Sequence, residues 1–387
     1  MDRTQRQVPI LGIPLAVVYK YFDDQGNYLA AVLTFYAFIA IFPLMLLATS
    51  ILGFVLQGYP ELEKDALNSA LAQFPIVGTQ LGRPDGLQGS VGAIVIGALG
   101  ALYGALGLGL ALQNVQALAW GVPRNSRRHP VLTRLTSLVL LGTAGTIILG
   151  ISVLSAVLTE TEAVGSLSTY SWFTWVVRLV TVLILGTVMT ILLRMAAASA
   201  IQHDIARTAP GGFTIAVLWG LLQYLGTIYV SRVLAATGEM EKIFGVVLGL
   251  IGLLYIGAIM GVLGIEVNVV LAEKLWPRAL MTPFTDQVDL TEADRKAYAM
   301  YATSQRHKGF QTVSVRFDGR NGDSHEIVLD PRTEEIIRQR IPAAPPPPDP
   351  APPDASGADS APDKRDATDA TDATQPIRQP HNLPPSG

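Results

Sequence analysis

The sequence contains no cysteine and few histidines. Without cysteine the chain cannot use disulfide bonds, thiol catalysis or cysteine-bound zinc. Its five histidines are isolated along the chain and do not have the spacing of metal ligands. Neither a phosphate-binding GxxxxGK[ST] loop nor a GxSxG nucleophile motif occurs. We therefore predict that the protein is not an enzyme and holds neither a metal ion nor another cofactor.

Charged residues make up only 15% of the 387 positions, and they are distributed unevenly. Residues 1–280 contain 16 basic and 14 acidic side chains, whereas the 107 residues that follow contain 12 and 17. So long a stretch with so few charges lacks the polar surface of a soluble domain. The formal net charge of −3 also argues against a nucleic-acid partner. The first part is therefore predicted to be a membrane domain, and membrane lipids are its expected partners.

Six apolar runs reach the length that crosses a membrane. A helix needs roughly 20 apolar residues to span the hydrocarbon core. The runs that qualify are Leu29–Leu56, Val91–Trp120, Leu135–Leu158, Trp172–Leu193, Phe213–Ser231 and Ile243–Ala272. The predicted fold is an all-α membrane protein, with a six-transmembrane-helix bundle over residues 29–280 and a kink at Pro43 in the first helix. Residues 1–28 form a short N-terminal segment before it.

The basic residues of the short loops predict the orientation of the bundle. Eleven Lys and Arg residues fall on the side of the N-terminus and four on the opposite side. Because loops rich in basic residues stay in the cytoplasm, both termini are predicted to be cytoplasmic. The protein is expected to be a multi-pass protein of the cell membrane.

Two single-cysteine variants test this orientation. Ser126 lies between the second and third runs, on the predicted cytoplasmic side, and Thr161 lies between the third and fourth, on the predicted external side. Because the natural chain has no cysteine, an impermeant thiol reagent added to intact cells should label only Thr161→Cys. Labelling of Ser126→Cys alone would reverse the predicted topology.

Two shorter segments flank the first apolar run. Ile13–Phe22 carries apolar residues along one side and is either a helix lying on the inner leaflet or an ordinary cytoplasmic extension. Pro60–Phe74 has apolar residues at helical spacing and is predicted to be an amphipathic helix that caps the external end of the bundle.

Small residues recur every fourth position in the second run and again in the sixth. Such stripes are typical of tight helix packing, and less often of a homo-oligomer interface or a substrate path. The glycines predicted at helix–helix contacts are Gly97, Gly100, Gly104, Gly109, Gly245, Gly249, Gly257 and Gly261. The stripes are compatible with a homo-oligomer as well as with a monomer.

Two ionisable residues lie inside the apolar runs, where a charge is costly. Arg178 is expected near the outer surface, where it either extends its side chain to the interface or binds an anion. Glu266 is expected at the depth of Arg194, and it either forms an inner-end salt bridge with Arg194 or couples a proton or cation to transport. Asn114 and Asn268 are further polar candidates near the inner ends.

The region after the last run changes character. Thr291 and Asp294 have the spacing of a capping box and predict a helix to about residue 306. Two β-prone stretches, 312–317 and 325–329, predict a hairpin, so residues 281–340 form a small cytoplasmic region. Residues 341–387 contain 13 of the 25 prolines and predict a disordered tail.

Several motifs in combination resemble the YihY/BrkB family of six-span membrane proteins. They are Tyr21-Phe22, Ala30-Ala31-Val32-Leu33-Thr34-Phe35-Tyr36, Ile41-Phe42-Pro43-Leu44, Pro210-Gly211-Gly212, Trp219, Phe244-Gly245-Val246-Val247-Leu248-Gly249 and Gly264-Ile265-Glu266-Val267-Asn268. The likeness covers roughly residues 15–280.

The resemblance implies an inner-membrane protein of a family linked to virulence, serum resistance and the export of envelope lipids. It favours transport or handling of an amphiphilic envelope molecule, a lipid or a glycolipid. The alternative is a non-transporting scaffold that supports the envelope. The family once carried a ribonuclease label, but phosphodiester cleavage needs metal ligands or an acid–base pair beside a basic groove, and the sequence contains neither.

Overall fold

The computed structural model describes residues 9–55, 91–159, 171–197, 205–232, 239–280, 282, 288–318, 324–329 and 336–341. The chain separates into a unit of residues 1–343 and a unit of residues 344–387, and every described residue belongs to the first. The predicted external helix at 60–74 and the predicted disordered tail lie outside the described residues.

Eight α-helices are followed by three short strands in the described part of the chain. The helices are α1 Pro9–Asp23, α2 Gly26–Val55, α3 Val91–Ala119, α4 Pro130–Thr159, α5 Ser171–Ala196, α6 Ile205–Arg232, α7 Glu239–Glu273 and α8 Glu292–Ser304. The long helices α2–α7 contain the six predicted apolar runs almost entirely. The largest difference is at α6, which begins eight residues before its apolar run because polar residues continue the helix.

Four described segments are long and apolar enough to cross a membrane. They are Pro130–Ile147, Trp175–Ala196, Ile205–Tyr224 and Val247–Glu273, and α2 contributes a shorter apolar segment, Gly26–Ile41. The chain is therefore a mostly helical protein with membrane-spanning helices. Six spans remain a prediction.

The long helices form a closed ring in chain order. Each of α2 to α6 packs against the next helix along the chain, and α7 returns to pack against α2. The short helix α1 lies against α7. We call one end of this ring the base; it contains α1, the first turns of α2, α4 and α6, and the last turns of α3, α5 and α7. The other end is the far half.

Local signals explain where helices begin and end at the base. Pro130 occupies the first position of α4, where its missing N–H costs nothing. Gly121 ends α3 with a φ of 64°, a left-handed conformation that favours glycine, and the N–H of Val122 then donates to the carbonyl oxygen of Ala117 at 2.8 Å. The predicted capping box is present at α8, where Thr291 accepts a hydrogen bond from the N–H of Asp294.

A buried arginine attaches α8 to the base. Arg278 is fully buried and pairs with Asp294 of α8 and, at 2.9 Å, with Asp23 of α1. Its guanidinium also lies 5.6 Å from the ring centre of Tyr298. Because removing either acid would leave a buried charge partly uncompensated, these contacts hold α1 and α8 in place.

The three strands form one antiparallel sheet of order β1-β2-β3. They are β1 Val313–Asp318, β2 Ser324–Leu329 and β3 Ile336–Ile341, with Val313 opposite Leu329 and Ser324 opposite Ile341. β1 and β2 correspond to the predicted hairpin. We did not predict β3, because its centre is the polar sequence Arg338-Gln339-Arg340, which hides the alternation expected of a strand.

Only some of the predicted glycine contacts are present among the described residues. A Cβ added to Gly104 would lie 2.7 Å from the backbone nitrogen of Ala40, and one added to Gly109 would lie 2.5 Å from Cβ of Ser137. Gly257 approaches only Trp219, at 3.7 Å, whereas Gly100 and Gly261 face open space. Contacts at Gly97, Gly245 and Gly249 are outside those that the structure describes. The uniform stripe that the sequence predicts is therefore not uniformly packed.

Candidate functional site

One face of α5 is buried at the base and exposed in the far half. Five residues of this face follow one another at helical spacing, so they lie in a single stripe. Leu193 and Thr190 are 4% and 5% exposed, and Gly186 is buried. Leu179 and Trp175, further along the same stripe, are 61% and 68% exposed. The face of α5 that packs at the base is thus uncovered beyond Gly186.

The neighbouring helix α6 shows the same change. At the base, a Cβ on Gly186 would lie 2.5 Å from the ring of Phe213, so the two helices touch there. On the same side of α6 as Phe213, Val217 and Tyr224 are 58% and 61% exposed, and a Cβ on Gly220 would meet no heavy atom of the described residues within 4 Å. The stripes of α5 and α6 that meet at the base are therefore both exposed in the far half.

We call the exposed apolar residues on these two stripes the α5–α6 cleft. Its residues are Trp175, Leu179, Val217, Gly220, Leu221 and Tyr224. The cleft is closed at the base by the contacts of Gly186 with Phe213 and of Thr190 with Gly212. These mostly apolar side chains can pack against a hydrocarbon chain but provide few hydrogen-bond partners for a hydrophilic solute.

A buried group of charges lies at the base, next to the closed end of the bundle. Lys20 of α1 forms an ion pair with Asp24, and its Nζ lies 3.7 Å from Oε2 of Glu266 on α7. All three side chains are almost fully buried. Among the described residues, neither carboxylate oxygen of Glu266 has a hydrogen-bond partner. We call these three residues the base cluster.

The base cluster contains two acids and one ammonium. Burial opposes the charged form of Lys20, but Glu266 and Asp24 outweigh it and raise the pKa of Lys20. Burial likewise raises the pKa of Asp24 although Lys20 acts in the opposite direction. Lys20 therefore keeps its charge, and the cluster has one negative charge in excess when both acids are ionised.

The predicted salt bridge between Glu266 and Arg194 is wrong. Arg194 is exposed near the end of α5, whereas Glu266 is buried against α1 and pairs with Lys20. The prediction matched the two residues by depth in the membrane, but α7 presents Glu266 to α1 rather than to α5. Residues 13–22 were interpreted either as a helix on the inner leaflet or as a cytoplasmic extension. Neither interpretation predicted that Lys20 is buried in the bundle.

Arg178 lies far from the base cluster, in the far half of α5. Its side chain is exposed and its guanidinium is 5.3 Å from the ring centre of Trp175. A Trp–Arg pair of this kind is typical of the membrane–water interface, where both side chains reach polar surroundings. This placement fits the prediction that Arg178 extends to the interface, and the alternative, an anion-binding side chain in an outward-facing cavity, stays a prediction.

The two predicted asparagines have different roles at the base. Asn268 is buried, and its Oδ1 accepts a hydrogen bond of 2.7 Å from the backbone N–H of Gly211 on α6. Asn114 is exposed and accepts a hydrogen bond of 2.8 Å from Nη1 of Arg127. Asn268 therefore joins α6 to α7 directly beside the closed end of the α5–α6 cleft.

Sequence reasoning missed Lys20, Asp24 and the glycine pair at Gly211 and Gly264. A Cβ on Gly211 would overlap the carbonyl oxygen of Gly264, so the backbones of α6 and α7 touch. The four-residue spacing of Lys20 and Asp24 is a signal for an ion pair on one helix face, although it does not identify Glu266 as the third member. The glycines were noted only as parts of family motifs.

Comparison with known proteins agrees with the resemblance noted in the sequence. The profile of the family described as Virulence factor BrkB matches residues 17–283. This range includes all of the base cluster, both helices of the cleft and the buried Arg278. Neither a curated protein nor a solved structure matches the chain.

Proposed function

We propose that this chain, which belongs to the virulence factor BrkB family, moves an amphiphilic envelope molecule, a lipid or glycolipid, by way of the α5–α6 cleft. The observation that carries the proposal is the single stripe of α5 that is buried at Leu193 and exposed at Trp175. We infer that α5 and α6 part beyond Gly186, so that acyl chains can enter the bundle between them. The predicted orientation would place the open end on the external side.

The base cluster supplies a way to control the closed end. Ionisable groups buried in a membrane protein commonly lie on the path of a substrate or an ion. Here Glu266 is two residues from Asn268, whose side chain holds α6 at Gly211. We propose that binding one proton between Asp24 and Glu266 removes the excess negative charge and weakens the attraction between Lys20 and Glu266, which lets α7 shift against α1 while the Lys20–Asp24 pair stays in place. The backbone contact of α6 with α7 would carry that change to the end of the cleft.

Filling the cleft tests the transport proposal. Gly220→Trp adds a large side chain to the cleft stripe of α6, whereas Gly145→Trp adds one to α4, and no heavy atom of the described residues lies within 4 Å of either new Cβ. In proteoliposomes that contain a fluorescent lipid, Gly220→Trp should reduce the rate of lipid movement between leaflets at least fivefold. Gly145→Trp should leave the rate close to that of the natural protein, with both melting temperatures unchanged.

A scaffold that does not transport is the second candidate, and the attachment of α8 by Arg278 favours it, because that contact fixes a cytoplasmic element to the bundle. The same assay separates the two. If the natural protein moves lipid no faster than protein-free liposomes at any pH between 5 and 8, the transport proposal fails and the scaffold is favoured.

A further inference from the structure

A second buried arginine lies at the base, and among the described residues it has no acid as its partner. Arg306 follows α8 and is 3% exposed. Its Nε donates to Oδ1 of Asn125 at 3.2 Å, and its carbonyl oxygen accepts from the N–H of Asn125 at 3.3 Å. Among the described residues its Nη1 has no hydrogen-bond partner. Arg278, by contrast, is buried with two carboxylates as its counter-ions.

The chain segments on either side of the Arg306–Asn125 contact are basic. The two segments that meet at Asn125, residues 121–135 and 305–312, contain no acidic residue. Their basic residues are Arg124, Arg127, Arg128, Arg134, Arg306 and Lys308. Burial and the nearby charge of Arg124 lower the pKa of Arg127, as expected where positive charges lie together. The end of α8 offers Arg306 only the partial negative charge of a helix C-terminus.

Positive-inside topology explains basic residues on the surface but not a buried guanidinium. Burying a charge without a counter-ion costs several kcal/mol, so an anion is expected to complete the site. The planar guanidinium fits the oxygens of a phosphate group particularly well, because it can donate two parallel hydrogen bonds. Arg127 lies in the same loop, three residues before α4; it is half-buried and donates to Asn114.

The apolar surface beside this loop identifies the source of the phosphate. Val131, Leu132 and Leu135, in the first turns of α4, are all exposed and follow the basic loop directly. A free phosphate or a nucleic acid would make no favourable contact with this apolar surface, whereas the acyl chains of a lipid would pack along it.

We infer that Arg306, Asn125 and Arg127 form a binding site for the phosphate headgroup of an anionic phospholipid at the base of the bundle. A phosphate oxygen of the headgroup accepts from the guanidinium of Arg306, and the acyl chains follow the exposed face of α4. A lipid can bind at this site whether or not another molecule moves through the α5–α6 cleft.

Lipid-dependent stability tests this site without any transport measurement. The full-length chain is purified in an uncharged detergent, and its melting temperature is measured with added phosphatidylglycerol or phosphatidylcholine. Phosphatidylglycerol should raise the melting temperature, and phosphatidylcholine should not. Arg306→Gln should weaken the apparent affinity for phosphatidylglycerol about tenfold, the effect of losing one charged hydrogen bond. Arg306→Lys should lose less, because it keeps the charge.

The control is Arg194→Gln, which removes an exposed arginine from the base and should leave the phosphatidylglycerol effect unchanged. If Arg306→Gln does not yield folded protein, Arg127→Gln carries the same expectation. Equal effects of the two lipids, or a full phosphatidylglycerol effect in the arginine variants, would overturn the inference. So would an equal rise with inorganic phosphate alone, or Arg306-dependent binding of an RNA oligonucleotide without a response to phosphatidylglycerol.

Discussion

Lys20→Met is expected to lower the free energy of unfolding by about 3 kcal/mol or more, because it removes the one cation from a buried cluster with two acids. Asp24 and Glu266 would then face each other without compensation. The methionine fills a similar volume, so the loss reports on charge rather than on a cavity. Chemical denaturation in detergent measures it.

A double-mutant cycle shows whether Glu266 belongs to the same cluster. Glu266→Gln alone should change stability little, because Lys20 and Asp24 remain as a neutral pair. Combined with Lys20→Met it should recover part of the lost stability, so the two changes are not additive. Arg194→Gln, which alters an exposed charge, should add independently to either. Additive behaviour of Lys20→Met and Glu266→Gln would contradict the contact between α1 and α7.

Gly211→Ala is expected to destabilise the protein by about 2 kcal/mol, which is typical of an overpacked core. The new methyl group would overlap the backbone oxygen of Gly264 and approach Nδ2 of Asn268 at 2.6 Å. The helices must then move apart, and the hydrogen bond from Gly211 to Asn268 lengthens or breaks. The melting temperature in detergent should fall accordingly.

Gly220→Ala is the matched control on the same helix. No heavy atom of the described residues lies within 4 Å of its new methyl group, so nothing is displaced. Alanine is also the better helix former by about 1 kcal/mol, and the variant should be equal to the natural protein or more stable. Similar losses at both positions would show that α6 and α7 do not approach closely at Gly211.

The helices could be predicted because hydropathy is a property of the chain itself. Apolar runs such as Val91–Trp120 need only their own length and composition to indicate a helix, and α3 begins and ends within one residue of that run. The cap at Thr291 was equally local, since its partner is three residues away. β3 was missed because its pairing with β2 is not visible in its own polar centre.

The base cluster could not be predicted because it depends on which way each helix faces. Glu266 and Arg194 lie at matching depths, but depth does not say which neighbour a helix face meets. Lys20 was counted with the basic residues of the cytoplasmic side because of its charge. Its burial depends on the packing of α1 against α7, which the sequence does not show. The same limit applies to the glycines, since Gly104 packs tightly while Gly100, one turn away, faces open space.

Photo-crosslinking from the α5–α6 cleft tests whether the cleft holds a selected amphiphile. Leu179 lies on the stripe of α5 that faces α6, and Val177 lies at nearly the same depth on the opposite side of the helix; both are exposed. A benzophenone amino acid is placed at one position or the other, and the adducts formed in native membranes are identified by mass spectrometry. Residue 179 should capture one class of amphiphile well above its share of the membrane, while residue 177 should capture bulk lipids in proportion to their abundance. Identical adducts at the two positions would contradict a cleft that holds a selected molecule.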